Sequence, residues 1–197
     1  MEEHIDPIID FLFEAGMLAK TPRSGFFFLG SGEQSVAEHI NRTVYIGYVL
    51  AAMTPGVDMT KILKMCLFHD LAETRVSDLN YVHQKYNERM EEKAINDLTL
   101  PLPFGLDIKE TIEEYEKRES LEAKIVKDSD ILELILSLKE QVDIGNQKAA
   151  SWLPSVTQRL KTDNAKLLAA KIIKSDSDHW WFGNKDDNWW VNRNKQG

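Results

Sequence analysis

The chain has 197 residues, of which 43% are hydrophobic and 28% charged, and its net charge at pH 7 is −8. This composition is typical of one globular domain, and the negative charge argues against a general nucleic-acid-binding surface, because phosphate backbones are bound by basic side chains. No stretch approaches the roughly 18 uninterrupted apolar residues of a membrane span. The first residues lack the basic and apolar regions of a signal peptide. The single cysteine, Cys66, excludes an internal disulfide, so we expect a cytoplasmic protein.

Helical periodicity runs along the chain, and no alternating strand pattern competes with it. The pattern predicts helices over about 5–15, 36–53, 59–69, 81–98, 109–116 and 119–138, with shorter helices after residue 141. A loop rich in glycine and phenylalanine separates the first two. After it, Ser35 and Glu38 form a capping-box pattern that starts the second helix. The sequence therefore predicts an all-α fold with one domain over residues 1–197.

The end of the third predicted helix, "CLFHDLAETRVSD", places ionisable side chains on an apolar face. Because a helix turns by about 100° per residue, Glu73 lies about 40° from His69, on the side that also carries Ile62 and Cys66. A buried carboxylate without a partner is costly, so these groups need a metal ion, a counter-charge or each other. A histidine hydrogen-bonded to an aspartate at a helix end is the simpler interpretation of the "HD" pair alone.

Two other helices carry ionisable residues on apolar faces. His39 shares the apolar stripe of its helix with Ile46, and the helix predicted over 119–138 contains Asp128 and Asp130. That last helix is apolar nearly all round, so either aspartate would be shielded, and periodicity does not choose between them. Two imidazoles and two carboxylates would form a nitrogen–oxygen ligand set that suits Mn²⁺, Fe²⁺, Co²⁺ or Zn²⁺ better than Ca²⁺. Adjacent His69 and Asp70 diverge by about 100° on a regular helix, so they could share one ion if the helix ends there or if the ion lies between them.

The order of the motifs resembles a known superfamily. "SVAEH", then "HDLAE" about thirty residues later, then an aspartate in "VKDSD", is similar to the HD-domain metal-dependent phosphohydrolases, and within them to the YfbR-like 5′-deoxynucleotidases, over about residues 15–140. The resemblance implies an HD-domain helical bundle that removes the 5′-phosphate from (deoxy)ribonucleoside 5′-monophosphates. It also implies metal ligands His39, His69, Asp70 and Asp130, catalytic residues Glu73 and Asp78, and substrate-binding residues Arg23 and Lys85.

The implied roles fit the chemistry of phosphate monoester hydrolysis. Glu73 would take a proton from water or give one to the leaving 5′-oxygen. Asp78 would orient Glu73 or share this proton transfer. Arg23 and Lys85 would hold the non-bridging phosphate oxygens. Some members of the family have a tryptophan directly after the loop arginine, where this chain has Ser24.

Two alternatives remain at this point. One is a phosphohydrolase acting on a nucleoside triphosphate, a cyclic phosphodiester or a non-nucleotide phosphate. The other is a metal- or nucleotide-binding regulatory module with little turnover, which the presence of both Glu73 and Asp78 disfavours. The tryptophan-rich segment 176–191 is interpreted as packing against the bundle or a second subunit. With the resemblance, it leads us to expect a homodimer.

Overall fold

The computed structural model describes residues 5–88, 90–184 and 192. Regular structure in these residues is helical, apart from one β-bridge between Pro22 and Ser35. The helices are α1 (Ile5–Ala15), α2 (Phe26–Leu29), α3 (Val36–Ala52), α4 (Met59–Phe68), α5 (Glu73–Val76), α6 (His83–Tyr86), α7 (Glu91–Thr99), α8 (Gly105–Lys117), α9 (Leu121–Asp143), α10 (Gln147–Thr157), α11 (Asp163–Ile172) and α12 (His179–Phe182). A 3₁₀ turn, Gly16–Ala19, follows α1. The predicted all-α fold is confirmed.

Local sequence signals start the helices that form the centre of the fold. The predicted capping box is present at α3, where Ser35 accepts from the backbone N–H of Glu38 and the Glu38 side chain accepts in return. Asp58 caps α4 and Ser120 caps α9 in the same way, each accepting from the backbone three residues on. These caps fix where three helices begin, and each of the three contributes to the candidate site.

Three predicted helix boundaries are wrong. The helix predicted over 81–98 is divided into α6 and α7, because Asn87 has an extended backbone and its amide donates to the carbonyl of His83. The helix predicted over 109–116 already starts at Gly105, soon after the prolines that precede it. The helix predicted over 119–138 continues to Asp143, and Gly145, with φ +98°, follows its end.

The long helix α9 is the centre of the bundle and packs against α3, α4, α8, α10 and α11. Its apolar side chains form one core cluster with those of α3, α4 and the C-terminal helices. A second cluster lies under α1, α7 and α8. The end of α4 joins the two: Cys66 belongs to the first cluster and Leu71 to the second. The segment between them, which holds His69 and Asp70, therefore lies at the junction of the two clusters.

Among the described residues, no helix is both long enough and apolar enough to cross a membrane. Of the tryptophan-rich segment, Trp180 and Trp181 lie in the one-turn helix α12, and both are exposed. Residues 185–191 of that segment lie outside the part of the chain that the structure describes.

Candidate metal centre and active site

Two buried histidines face each other where α3 passes the end of α4. His39 lies in the first turns of α3, and His69 is the residue that caps α4, so this helix ends at the His69–Asp70 pair, which is one of the two arrangements that would let them share an ion. Their Nε2 atoms are 3.3 Å apart, although the residues are 30 positions apart in the chain. Neither side chain is exposed by more than 1%.

The opposite ring nitrogens determine the tautomer of each histidine. His39 Nδ1 lies 2.7 Å from Glu133 Oε2, and His69 Nδ1 lies 2.9 Å from the carbonyl oxygen of Cys66. Both oxygens accept hydrogen bonds, so each Nδ1–H donates and, in a neutral ring, Nε2 keeps its lone pair. The two lone pairs then face each other and Asp70 Oδ2, which is 3.4 Å and 3.3 Å from them. These electron pairs repel one another unless a cation lies between them, so the donor set fits a divalent metal ion.

The two predicted aspartate ligands lie beside the histidine pair. Asp70, in the turn after α4, forms a group with His39 and His69 in which one ligand atom from each lies within 4.8 Å of the others. Asp130, on α9, lies outside this three-residue group, but its Oδ1 is 3.4 Å from His39 Nε2. Its Oδ2 accepts from Lys127 Nζ at 2.6 Å. All four predicted ligands therefore come to one place, with Asp130 held partly by a lysine.

Both aspartates are ionised in this environment. Burial would raise the pKa of each carboxyl, but positive charge outweighs it: chiefly His69 for Asp70, and Lys127 for Asp130. The pKa of both carboxyls therefore lies well below its usual range. Burial would lower the pKa of His69, but the charge of Asp70 outweighs it and raises this pKa, so a metal ion that binds Nε2 has to displace the ring proton. The carboxylates are thus available to a metal ion without first losing a proton.

Glu133, on α9, is a site residue that sequence reasoning missed. Its side chain is 1% exposed, accepts from His39 through Oε2, and accepts through Oε1 from Arg42 Nε at 2.9 Å and Gln34 Nε2 at 2.7 Å. Burial would raise the pKa of this carboxyl, but His39 and Arg42 lower it to about 2. A carboxylate behind a ligand imidazole fixes its tautomer and orientation. The available signal was a glutamate three residues after Asp130, within the otherwise apolar run of residues 131–136.

Three further predicted residues line one side of the histidine pair. Arg23 Nη1 lies 3.4 Å from Asp70 Oδ2, and its Nε lies 3.5 Å from Asp78 Oδ2. Glu73, in α5, is 7% exposed. The hydroxyl of Ser24, itself buried, donates to the carbonyl oxygen of Asp78 at 2.6 Å and so ties the arginine loop to the segment after α5. The structure thus brings Arg23, Glu73 and Asp78 to the candidate ligands.

These groups form the floor of a cavity of about 740 Å³, which is large enough for a nucleotide. Its lining includes Arg23, His69, Asp70, Glu73, Asp78 and Asp130. Lys85 is not brought to this cavity: its side chain is exposed, and its Nζ lies 4.3 Å from the centre of the Tyr81 ring. Cys66 is buried and burial raises the pKa of its thiol to about 12, so it behaves as a core residue and not as a nucleophile.

The helical bundle and its buried histidine–aspartate cluster define a metal-binding all-α protein with an adjoining substrate-sized cavity. A family model described as an HD domain matches residues 15–172. The chain therefore belongs to the HD domain family, and the prediction of an HD-domain metal-dependent phosphohydrolase is confirmed.

Relatives and solved structures agree with this assignment. The chain is 34% identical to the 5′-deoxynucleotidase HDDC2 of Bos taurus, over 71% of this chain and 70% of the relative. It is 33% identical to the 5′-deoxynucleotidase hdd1 of Schizosaccharomyces pombe, over 68% and 71%. The structure of a conserved hypothetical protein from Pyrococcus furiosus, 29% identical, superimposes with a TM-score of 0.71 over 85% of this chain and 99% of that one.

Proposed function

We propose that this phosphohydrolase removes the 5′-phosphate from deoxynucleoside 5′-monophosphates. The observation that carries the proposal is the meeting of His39, His69 and Asp70 within 4.8 Å, where His69 and Asp70 line a cavity together with Arg23 and Glu73. Two relatives that are a third identical to this chain are named 5′-deoxynucleotidases, which supports the same substrate class.

The metal ligands in this proposal are His39, His69, Asp70 and Asp130. Their two nitrogens and two carboxylates fit Mn²⁺, Fe²⁺, Co²⁺ or Zn²⁺. A divalent ion bound there supplies positive charge to a phosphoryl oxygen and lowers the pKa of water. Glu133 would hold His39 in the tautomer that leaves Nε2 available to bind the ion.

The remaining residues bind the phosphate and move protons. Arg23 presents a guanidinium that Asp70 and Asp78 hold at the cavity floor, and it would pair with the non-bridging phosphate oxygens. Glu73 lines the cavity beside the ligands and is the group that takes a proton from the attacking water or gives one to the leaving 5′-oxygen. Burial raises the pKa of Asp78 against the opposing charge of Arg23, which suits a carboxyl that shares this proton.

The test is phosphate release by the purified protein with Co²⁺ or Mn²⁺. Deoxynucleoside 5′-monophosphates should be hydrolysed, and ribonucleotides much less. Glu73→Gln should bind Co²⁺ as the wild type does and lose about 100-fold or more in kcat, whereas Glu110→Gln, the same change on the exposed side of α8, should keep full activity. Hydrolysis of triphosphates or cyclic phosphodiesters in preference to monophosphates would overturn the substrate assignment.

We further propose that residues 1–197 form a single HD domain that acts in the cytoplasm as a homodimer. The free, buried Cys66 is compatible with a reducing compartment. Light scattering of the purified protein measures the oligomeric state, and a mass equal to one chain would rule out the dimer.

A further inference from the structure

The wall of the cavity beyond the metal ligands is formed by Tyr115 and Arg118. Tyr115, at the end of α8, is 2% exposed, and its ring lies edge-on to the ring of His69, with 5.3 Å between centroids. The guanidinium of Arg118 lies over the same Tyr115 ring, with Cζ 3.3 Å from its centroid. One aromatic ring therefore separates Arg118 from a candidate metal ligand, and both residues line the cavity.

The Arg118 guanidinium has hydrogen-bonding capacity that the described residues do not use. Its Nη1 is buried and has no hydrogen-bond partner among them. Its Nη2 makes a long contact of 3.4 Å with the exposed Glu116, and the guanidinium also interacts with the side chain of Tyr115. A buried donor without a partner costs stability, so it calls for an explanation in the bound state.

The backbone at Arg118 is also unfavourable for an arginine. It has φ +55° and ψ +23°, the left-handed conformation that ends α8 and that glycine adopts without strain. Among the described residues, one other non-glycine residue has positive φ: Ser77, which directly precedes Asp78 at the same cavity. Backbone strain of this kind collects at functional sites. Ending the helix would be better served by glycine, so the side chain of Arg118 needs a role of its own.

We propose that Arg118 is a specificity-determining residue that donates a hydrogen bond to an acceptor atom on the nucleobase of the substrate. This inference rests on the proposed function. Arg23 holds the phosphate end of the cavity beside Asp70, whereas Arg118 lies on the far side of the Tyr115 ring, where the nucleoside part of a bound nucleotide would extend. Stacking on Tyr115 fixes the guanidinium plane, so its N–H groups point along a defined edge.

Every common nucleobase carries ring-nitrogen or carbonyl acceptors in its plane, so the contact would favour nucleotides over other phosphomonoesters without selecting one base. The critical comparison is between deoxynucleoside 5′-monophosphates and 2-deoxyribose 5-phosphate, which has the same sugar and phosphate but no base. Arg118→Met keeps much of the stacked volume and removes the donors. We expect its kcat/KM for the nucleotides to fall roughly tenfold, mainly through KM, and its kcat/KM for 2-deoxyribose 5-phosphate to stay unchanged.

Two control variants separate this role from charge and from folding. Lys124→Met removes one positive charge from the first turns of α9, away from the cavity. It should leave kcat/KM unchanged for both the nucleotides and 2-deoxyribose 5-phosphate. Arg118→Gly relieves the left-handed backbone and should fold with an unchanged or higher Tm, yet lose the same preference for nucleotides.

The outcomes are distinct. An equal loss on both substrates in Arg118→Met would show that Arg118 contacts the phosphate or sugar, and no loss on either would show that it only ends α8; both overturn the inference while leaving the proposed function in place. A wild-type protein that hydrolyses none of the nucleotides would overturn the proposed function and this inference with it.

Discussion

The central helix α9 has two polar sites on different faces, and they use the same residue type for different purposes. Asp128 is fully buried and accepts three hydrogen bonds from the start of α11: from the backbone of Lys161 at 2.9 Å, and from the backbone and hydroxyl of Thr162 at 2.7 Å each. Asp130, two residues on, has a side chain 15% exposed to the cavity and lies 3.4 Å from His39 Nε2.

The comparison shows that burial alone does not identify a metal ligand. The carboxylate oxygens of Asp128 accept short hydrogen bonds from a neighbouring segment of the same chain, and this residue does not line the cavity. Asp130 has one lysine partner and faces the nitrogen of a histidine. A metal ion needs an accessible lone pair, so the deciding property is whether the surrounding protein has already satisfied the oxygens.

The largest effect should come from Asp130→Asn, which leaves the shape of α9 intact and removes the carboxylate charge. We expect it to lose bound Co²⁺ and about a thousandfold in kcat/KM, since a metal contributes several kcal/mol to the transition state. Metal analysis and phosphate release measure the two effects. Retention of both metal and activity would show that the two faces of α9 do not differ as proposed.

Asp128→Ala changes the face of α9 that lies away from the cavity, and it should lower the stability of the fold instead of metal binding. It leaves three donors of the α11 start without their acceptor, so we expect a loss of about 3 kcal/mol in the free energy of unfolding, measured by urea denaturation. The folded fraction should keep its Co²⁺ and its kcat/KM. Thr162→Val removes one of the three bonds and should cost about 1 kcal/mol. A loss of metal in Asp128→Ala with unchanged stability would show that Asp128, and not Asp130 alone, contributes to metal binding.

These two aspartates also mark what the sequence can predict. Periodicity correctly predicted a buried helix and placed both residues on shielded faces, but it does not report what lies opposite each face. The partner of Asp128 is a loop that follows it by more than 30 residues, and that packing is a property of the tertiary fold. The resemblance of "VKDSD" to the family motif, and not helix geometry, chose Asp130, and its role as a ligand stays a prediction.

The wrong helix boundaries have a related cause. The start of α3 was predicted because Ser35 and Glu38 are three residues apart and act locally. The break comes at Asn87, whose backbone is extended, and the helical pattern of 81–98 gave no signal for it. Glu133 was missed for a different reason: its importance comes from Arg42 and His39, which lie on another helix more than 90 residues away in the chain.

A smaller effect should follow from Glu133→Gln, which keeps the shape of the side chain behind His39 but removes its charge. We expect metal affinity to fall about 10- to 100-fold, because a neutral amide orients and polarises the imidazole less well than a carboxylate. Titration with Co²⁺ measures the change. Glu140→Gln is the matched control, because Glu140 is the other carboxylate paired with Arg42 and its side chain is 48% exposed. This variant should leave Co²⁺ affinity unchanged. Equal affinities in Glu133→Gln and the wild type would exclude this role for Glu133.

The smallest effect should come from the start of α9, which precedes both polar sites in the helix. Ser120 caps the helix by accepting from the backbone N–H of Ala123 at 3.1 Å, so Ser120→Ala should cost about 1 kcal/mol of unfolding free energy. Because the first turn can lose this bond without changing the packing of Asp128 or Asp130, metal content and kcat/KM of the folded protein should not change. Ser151→Ala, on the exposed surface of α10, should be nearly neutral in the same urea experiment. If Ser120→Ala instead reduced activity more than stability, the position of Asp130 would depend on the cap, and the two faces of α9 would not be independent.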